Sequence, residues 1–530
     1  MNPINIFAFL ICISIVTSAK SQLIQGYRFE EEIKSEDEGF TVISLKKEGL
    51  ALIREKKDIE HGKKKWQLEI LDTTLSKRWS SELELESRLT FVGYEYAPKH
   101  VYLLFREGEA DYHNFRMITI DFVEKSTKTH EIKFEVEFRL THFIIAGTSA
   151  VFGGYVSSEP VILLYDRENG LLKVLPGLFV REMKLLDLRA NQNESFNILL
   201  SEKLDKDHSN LVVRTFDTTG GLILEDVIKI DPKLIIQHGL TGILERDELI
   251  VTGTYSVSGN QQAAGFFSTV VDPFNDQTVY YNDFGTMNHF LDYLSPKRSG
   301  KIKAKAQQLK TQGQLPSYTT GVIPIRIEER NDGFYLLSEA YHASTASSNS
   351  YPYSSNYYRS YPYGGYGGYY PSASNPYYSP TRYGTPYPGN NTAALHDVLM
   401  LACVVIKMGT TGKVEKDASM KLTNVRQSGL EQTGDFVIHK DSILIIYKKD
   451  NEIFSQNEIG DLEEKATVKQ TLIKLQNDRE ELKNDHDSEG TTRHWFNNSF
   501  YVWGYQVIKD PQRVLDKTRR VFYVNRVSSR

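Results

Sequence analysis

Short runs of five to nine mainly apolar residues, rich in Val, Ile, Leu, Tyr and Phe, recur along almost the whole chain, separated by turns of Asn, Asp, Gly and Lys. Runs of that length between turn formers read as β-strands, and the spacing of amphipathic helices is nearly absent. One kind of turn marks a longer cycle, a polar turn followed at once by a fresh apolar run. It occurs eight times, as KKEGLALI from Lys46, APKHVYLLF from Ala97, GTSAVFGGYV from Gly147, NQNESFNILL from Asn191, ERDELIVTG from Glu245, ERNDGFYLL from Glu329, HKDSILIIY from His439 and FNNSFYVWGY from Phe496. Successive copies lie about 44 to 57 residues apart except where insertions intervene.

A second hairpin follows each of the first five. There Asp72, Asp121, Asp166, Asp217 or Asp272 ends a strand and starts the turn, as Asp does by accepting its own backbone N–H two residues on. IKMGTTGKVEK from Ile406 is a sixth copy without the Asp. Each period thus holds four strands in two hairpins, and a four-stranded unit of about 40 to 50 residues is a β-propeller blade. The expected fold is all-β, a propeller of eight blades. Seven is the alternative count, because residues 451–490 are polar and partly helix-like. Two stacked β-sandwich domains would also supply many short strands, but the near-constant period and the want of a linker favour the propeller. The last period supplies three clear strands, 493–496, 500–508 and 519–527, while the strand at 27–33 has no partner in its own unit. Pairing the two removes an open edge and closes the ring, which resembles the circular closure of known propellers; no WD array or kelch glycine pair is present.

Two insertions break the cycle. The first, residues 286–320, is a crossover between the fifth and sixth units. It carries Lys297, Arg298, Lys301, Lys303, Lys305 and Lys310 with no Asp or Glu between Tyr293 and Ile327, and residues 302–309 are expected to form a short helix after Ser299 and Gly300. Such a segment is either a solvated charged helix or a site for an acidic ligand. The second, residues 343–396, joins the second and third strands of the sixth unit and contains 13 of the 31 tyrosines. Prolines and glycines exclude helix and sheet, so it reads as a flexible loop that acts as a spacer, self-associates or stacks on a ligand. Tyr357, Tyr358, Tyr363, Tyr366, Tyr369, Tyr370, Tyr377 and Tyr378 are the stacking candidates, with Arg359 and Arg382 as cation–π partners. In a four-stranded blade the second-to-third loop and the blade-to-blade crossover share one face of the disc. Both insertions are therefore expected on that face, which is the predicted binding surface.

The first 21 residues read as a cleaved secretory signal, an apolar run from Ile6 to Val16 followed by Thr17, Ser18 and Ala19, with cleavage expected near 19–21. A secreted, periplasmic or cell-surface location follows. Removal of the signal leaves Cys403 as the one cysteine, so no internal disulfide is expected. Lys and Arg number 63 against 68 Asp and Glu, a net charge of −5 that gives no general attraction to nucleic acid. No later run is long and apolar enough to span a membrane as a helix.

No sequence motif assigns a reaction, a metal or a cofactor: HExxH, paired CxxC, GxxxxGK[ST] and GxGxxG after a strand are all missing. SEDEGFTV from Ser35 resembles one Asp-box of sialidase-type propellers with Val42 in place of Trp, but it occurs once and precedes a first strand, so it reads as a turn. The acidic loop around His486 reads as solvated charge. Sequons stand at Asn193, Asn390 and Asn497. Overall, with its interrupted Tyr/Pro/Gly loop, the chain is similar to large secreted proteins of Bacteroidetes-type bacteria, a likeness that implies export and no activity. The expected function is a non-enzymatic binding scaffold for a glycan or a protein of the envelope or matrix. The alternatives are a polysaccharide-acting propeller enzyme with converging channel carboxylates, and a self-associating adhesion protein.

Overall fold

In the computed structural model, residues 23–33, 39–108, 112–177, 182–204, 208–257, 262–275, 277–345, 395–427, 430–439, 442–459, 467–484, 490–512 and 517–529 are described. They form eight antiparallel sheets, the blades of an eight-bladed propeller. In each blade the strands run outward in chain order. Blade 1 comprises Thr41–Ser44, Leu50–Glu60, Lys63–Leu71 and Lys77–Glu86; blade 2, Leu89–Ala97, His100–Glu107, Asn114–Asp121 and Ser126–Lys133. Blade 3 is built from Arg139–Ala146, Ser149–Val156, Glu159–Asp166 and Leu172–Val174, and blade 4 from Met183–Ala190, Phe196–Lys203, Ser209–Phe216 and Leu222–Ile228. Blades 5 and 6 follow as Leu234–Thr241, Ile250–Val257, Gly265–Val270 and Tyr280–Asp283, then Gly321–Arg330, Gly333–Thr345, Leu395–Met408 and Val414–Gln427. Blade 7 holds Gly434–His439, Ser442–Lys449, Glu452–Ile459 and Lys469–Leu472.

All eight recurring turns fall between the first and second strands of their blades. The aspartate turns fall between the third and fourth, and each Asp closes its turn as expected. Asp217 Oδ1, for example, accepts the N–H groups of Thr219 and Gly221 at 2.8 Å each, and Asp121 Oδ1 those of Val123 and Glu124 at 2.9 and 2.8 Å. These bonds to the charged form hold the Asp217 carboxyl below its ordinary range.

Blade 8 departs from the pattern in a useful way. Its innermost position is shared by Glu481–Asn484 and Thr492–Phe496, both paired with Ser499–Lys509, which pairs in turn with Thr518–Ser529. The outermost strand is the N-terminal one, Leu23–Glu32, antiparallel to Thr518–Ser529 from Leu23 opposite Ser529 to Glu32 opposite Val521. The two ends of the chain therefore share one blade, and the ring closes through strand pairing rather than through loops. Residues 452–484, partly helix-like in sequence, form strands where they are described apart from turns.

The apolar residues lie between neighbouring blades. Phe40, Val42 and Leu50 of the first blade pack with Trp495, Tyr505 and Phe522 of the last. Polar links cross the same seam: Trp495 Nε1 donates to Gly49 O at 3.0 Å, and Tyr505 Oη accepts the Phe40 N–H at 2.7 Å. Both rings thus contribute apolar area while their polar tips are satisfied. Cys403 is a free, buried thiol in the sixth blade.

Candidate binding face

The crossover between blades 5 and 6 contains an α-helix, Pro296–Thr311. Pro296 occupies its first turn, where the missing N–H costs nothing. The far end closes on Gly313 at φ 70°, with Gln314 N–H bonded to Leu309 O and Gly313 N–H to Lys310 O, each at 2.9 Å. The helix begins six residues earlier than the sequence predicts. Ser299 and Gly300 read as a break, but Ser299 is buried against the fold and Gly300 stands exposed inside the helix, so packing overrides a local preference of about 1 kcal/mol.

What fixes this helix is the segment before it. Phe284 and Phe290 stack at 4.0 Å between ring centres, and with Met287, Leu291 and Tyr293 they join the core shared by blades 5 and 6. Ala306 of the helix comes so near Gly285 that a Cβ there would stand 2.5 Å from the Ala306 methyl. Asp417 of blade 6 accepts the N–H groups of Asn288 and His289 at 2.9 and 2.7 Å. Replacing Phe290 by Ala is expected to cost about 3 to 5 kcal/mol, measured by denaturant unfolding, because the stacked pair and its core contacts are lost together.

At 100° per residue, Ile302, Ala306 and Ser299 fall on the buried side of the helix, and Lys303 and Lys310 flank them. Lys303 Nζ donates to Asn288 O at 2.7 Å, and Lys310 pairs with Asp283. Asp283 also accepts the Tyr318 hydroxyl at 2.8 Å. Lys297, Arg298, Lys301 and Lys305 fall within about 100° of one another on the opposite side. All four are exposed, and among the described residues none of their side chains forms a hydrogen bond or ion pair. From Lys297 to Lys305 the stripe runs roughly 12 Å at 1.5 Å per residue. Of the predicted basic residues the structure thus gathers Lys297, Arg298, Lys301 and Lys305 into one outward stripe and diverts Lys303 to a backbone carbonyl.

The strands that flank the tyrosine tract end on the same face, where Thr345 pairs with Leu395 at the ends of the second and third strands of blade 6. Tyr357, Tyr358, Tyr363, Tyr366, Tyr369, Tyr370, Tyr377, Tyr378, Arg359 and Arg382 lie outside the described residues, as do the first half of the single Asp-box and the acidic loop at 485–489.

Across the disc, on the face of the first-to-second turns, charge gathers around the centre of the ring. Lys46 of blade 1 lies within electrostatic reach of Arg326, Asp435, Glu328 and Glu245, drawn from blades 6 and 7 and from the first turn of blade 5. Lys46 keeps exposed surface but is ringed by protein, and that desolvation first and Arg326 next hold its ammonium below the usual range. Burial and the nearby Glu329 and Glu328 push Glu245 upward. Most of the carboxylates are committed to structure. Glu329 accepts the Ile243 and Arg246 N–H groups at 2.5 and 2.9 Å. Glu328 pairs with Arg326 at 3.0 Å, and Asp435 with Arg326 at 2.8 Å. Burial by itself would raise Asp435, but Arg326 and His494 hold it below its ordinary range. Glycoside chemistry needs two carboxyls free to exchange protons, and in this group Glu245 alone has no hydrogen bond or ion pair among the described residues. Sequence reasoning missed this cluster because its members are adjacent only across the ring.

Among the described residues no three His, Cys, Asp or Glu side chains are grouped to hold a metal, and no helix is long and apolar enough to cross a membrane. No family model and no curated protein matches the chain. Similar solved structures include the polysaccharide lyase Uly1, at 7% identity over 95% of this chain and 100% of that one, with a TM-score of 0.41. The β-propeller domain of the Trilobed protease from Pyrococcus furiosus is 8% identical over 83% of this chain and 93% of its own, with a TM-score of 0.34. A cobalt-substituted Synechocystis apocarotenoid oxygenase matches 50% of this chain and 65% of its own, at 7% identity and a TM-score of 0.28. Function is therefore read from this chain's own residues.

Proposed function

We propose that the protein is an exported, non-enzymatic binding propeller that holds an acidic polysaccharide of the envelope or matrix across its crossover face. The carrying observation is the stripe of Lys297, Arg298, Lys301 and Lys305, four exposed cations without protein partners on a helix anchored by a buried aromatic pair. Unpaired cations in a row raise the local concentration of a linear polyanion and hold it through several weak contacts. A mount fixed by packing keeps the entropy cost of binding small. The acidic net charge directs this attraction to one place. The tyrosines of the tract whose flanking strands end on this face are expected to supply sugar-stacking surfaces at low side-chain entropy.

A glycan screen of the mature protein tests the proposal. Acidic polysaccharides are expected to bind and neutral ones of equal length to bind at least about tenfold more weakly, a difference of roughly 1.4 kcal/mol. Deleting residues 350–391 is expected to weaken binding while leaving the melting temperature nearly unchanged, because the flanking strands keep their pairing up to Thr345 and Leu395. A large fall in melting temperature would show that the tract packs on the fold. Binding of an acidic protein in preference to every polysaccharide would overturn the choice of ligand.

A further inference from the structure

On the face opposite the helix, blades 2 and 3 border an open cavity of about 290 Å³. Its wall comes from four turns and the strands that enter them: His100, Thr119, Asp121 and Lys128 of blade 2 meet Thr148 and Arg167 of blade 3. Ser126, His130 and Glu168 complete it.

The two cations of this wall form no ion pair with its two carboxylates among the described residues. Arg167 is rigidly held, its Nη1 donating to Tyr102 Oη at 2.7 Å, its Nη2 to Gly147 O, and its guanidinium 4.8 Å from the centre of the Tyr102 ring. Each of those partners is neutral, and no carboxylate pairs with Arg167 among the described residues. Lys128, exposed, forms no hydrogen bond or ion pair among them either. The two cations converge, since both act electrostatically on His130, which burial first and these charges next keep neutral. Asp121 stays charged but is directed elsewhere, its Oδ1 accepting two turn N–H groups and its Oδ2 facing His100 Nε2 at 3.4 Å, and Asp166 lies within electrostatic reach of Arg167 without pairing with it. Glu168 sits exposed at the rim. Thr119 Oγ1 and Arg167 Nε, buried behind the wall surface, have no hydrogen-bond partner among the described residues.

A fixed Arg167 and an unpaired Lys128 beside it call for an anion, and hydroxyls on Ser126 and Thr148 call for a ligand with several oxygens. A bare oxyanion fills a small part of this space, which lies near the lower end of the ~300–1,000 Å³ range of small-molecule sites. We propose that the cavity binds a single sugar unit bearing an anionic group, with the anion against Lys128 and Arg167 and the ring hydroxyls against the threonine and serine oxygens. This site is separate from the helix stripe and stands whether or not the stripe binds polysaccharide.

Calorimetric titration of the mature protein with glucuronate, glucose 6-phosphate and glucose 6-sulfate tests it, with glucose and inorganic phosphate as controls. At least one anionic sugar is expected to bind, with glucose and phosphate each about tenfold weaker or worse. The three anionic arms separate carboxylate, phosphate and sulfate as the preferred group. Lys128→Met, at an exposed position, is expected to keep the melting temperature and to weaken binding about tenfold, as loss of a charge-assisted contact does. The proposal is overturned if no anionic sugar binds at about 10 mM, if glucose or phosphate binds as tightly, or if Lys128→Met binds like the parent.

Discussion

A chain lacking residues 1–32 is expected to unfold several kcal/mol more easily than the mature protein and to associate through its exposed edge. The missing strand pairs with Thr518–Ser529 at nine positions, each worth about 1 kcal/mol in ladder bonds before the entropy of ordering is counted. Its side chains tie further parts together. Arg28 Nη1 and Nη2 donate to Asn525 Oδ1 and Gln506 Oε1 at 2.9 and 2.7 Å, and its guanidinium lies 4.5 Å from the centre of the Tyr523 ring. Glu30 and Glu480 both hold Arg519, at 2.7 and 2.6 Å. Without the strand, Thr518–Ser529 presents unpaired backbone groups, a template for a second chain. Size-exclusion chromatography should show oligomers, and a peptide spanning residues 22–33 should restore a monomer. An unchanged melting temperature in the truncated chain would contradict closure by this strand.

Glu339→Gln should abolish a dependence of stability on pH that the parent protein carries between about pH 4.5 and 8. Glu339, in the second strand of blade 6 opposite Cys403, is fully buried. Its Oε1 accepts the N–H groups of Gly434 at 2.7 Å and Thr433 at 2.9 Å, pinning the segment that enters blade 7. Burial pushes its carboxyl from the ordinary 4.5 up to about 8, and the opposing effects of these N–H groups and of Arg493 do not cancel that. The folded state therefore holds the proton where the unfolded chain has released it, so stability falls as pH rises through this window. At about 1.36 kcal/mol per unit, the full loss is on the order of 5 kcal/mol. Glutamine keeps the carbonyl acceptor and cannot ionise, so the variant should lose far less stability between pH 5 and pH 9. Equal slopes for parent and variant in denaturant unfolding would show that Glu339 is not the responsible group. The turn aspartates act in the opposite sense. Asp217 is held low by bonds to its charged form, so its contribution is present above the unfolded value of 3.8 and is lost as pH falls through the folded one.

The ring itself was legible in the chain because its turns obey local chemistry. Asp72, Asp121, Asp166, Asp217 and Asp272 each bond their own turn, and that motif needs no tertiary partner. The pairing of the chain ends could be read because a strand without a neighbour and a blade short of one strand each imply the other. The helix was half legible. Its cations were plain, but its start was misplaced because Ser299 and Gly300 look like a break until Phe284, Phe290 and Ala306 are seen holding the segment. Beyond local reach were the contacts between blades. Nothing in the sequence near Glu339 announces Thr433 and Gly434, and nothing near Lys128 announces Arg167, because such pairs are set by the packing of one sheet on the next. Function on a propeller is written largely in those junctions, whereas the fold is written in the turns.

The helix stripe is the claim on which the proposed function rests, and the salt dependence of binding tests it most directly. The mature protein and a variant with Lys297, Arg298, Lys301 and Lys305 all changed to Gln should be titrated with one acidic polysaccharide at about 0.05 and 0.3 M salt. The parent should weaken by at least about tenfold across that range, while the variant should bind weakly at both and show little dependence on salt. Equal affinity of the two proteins, or parent binding indifferent to salt, would contradict it.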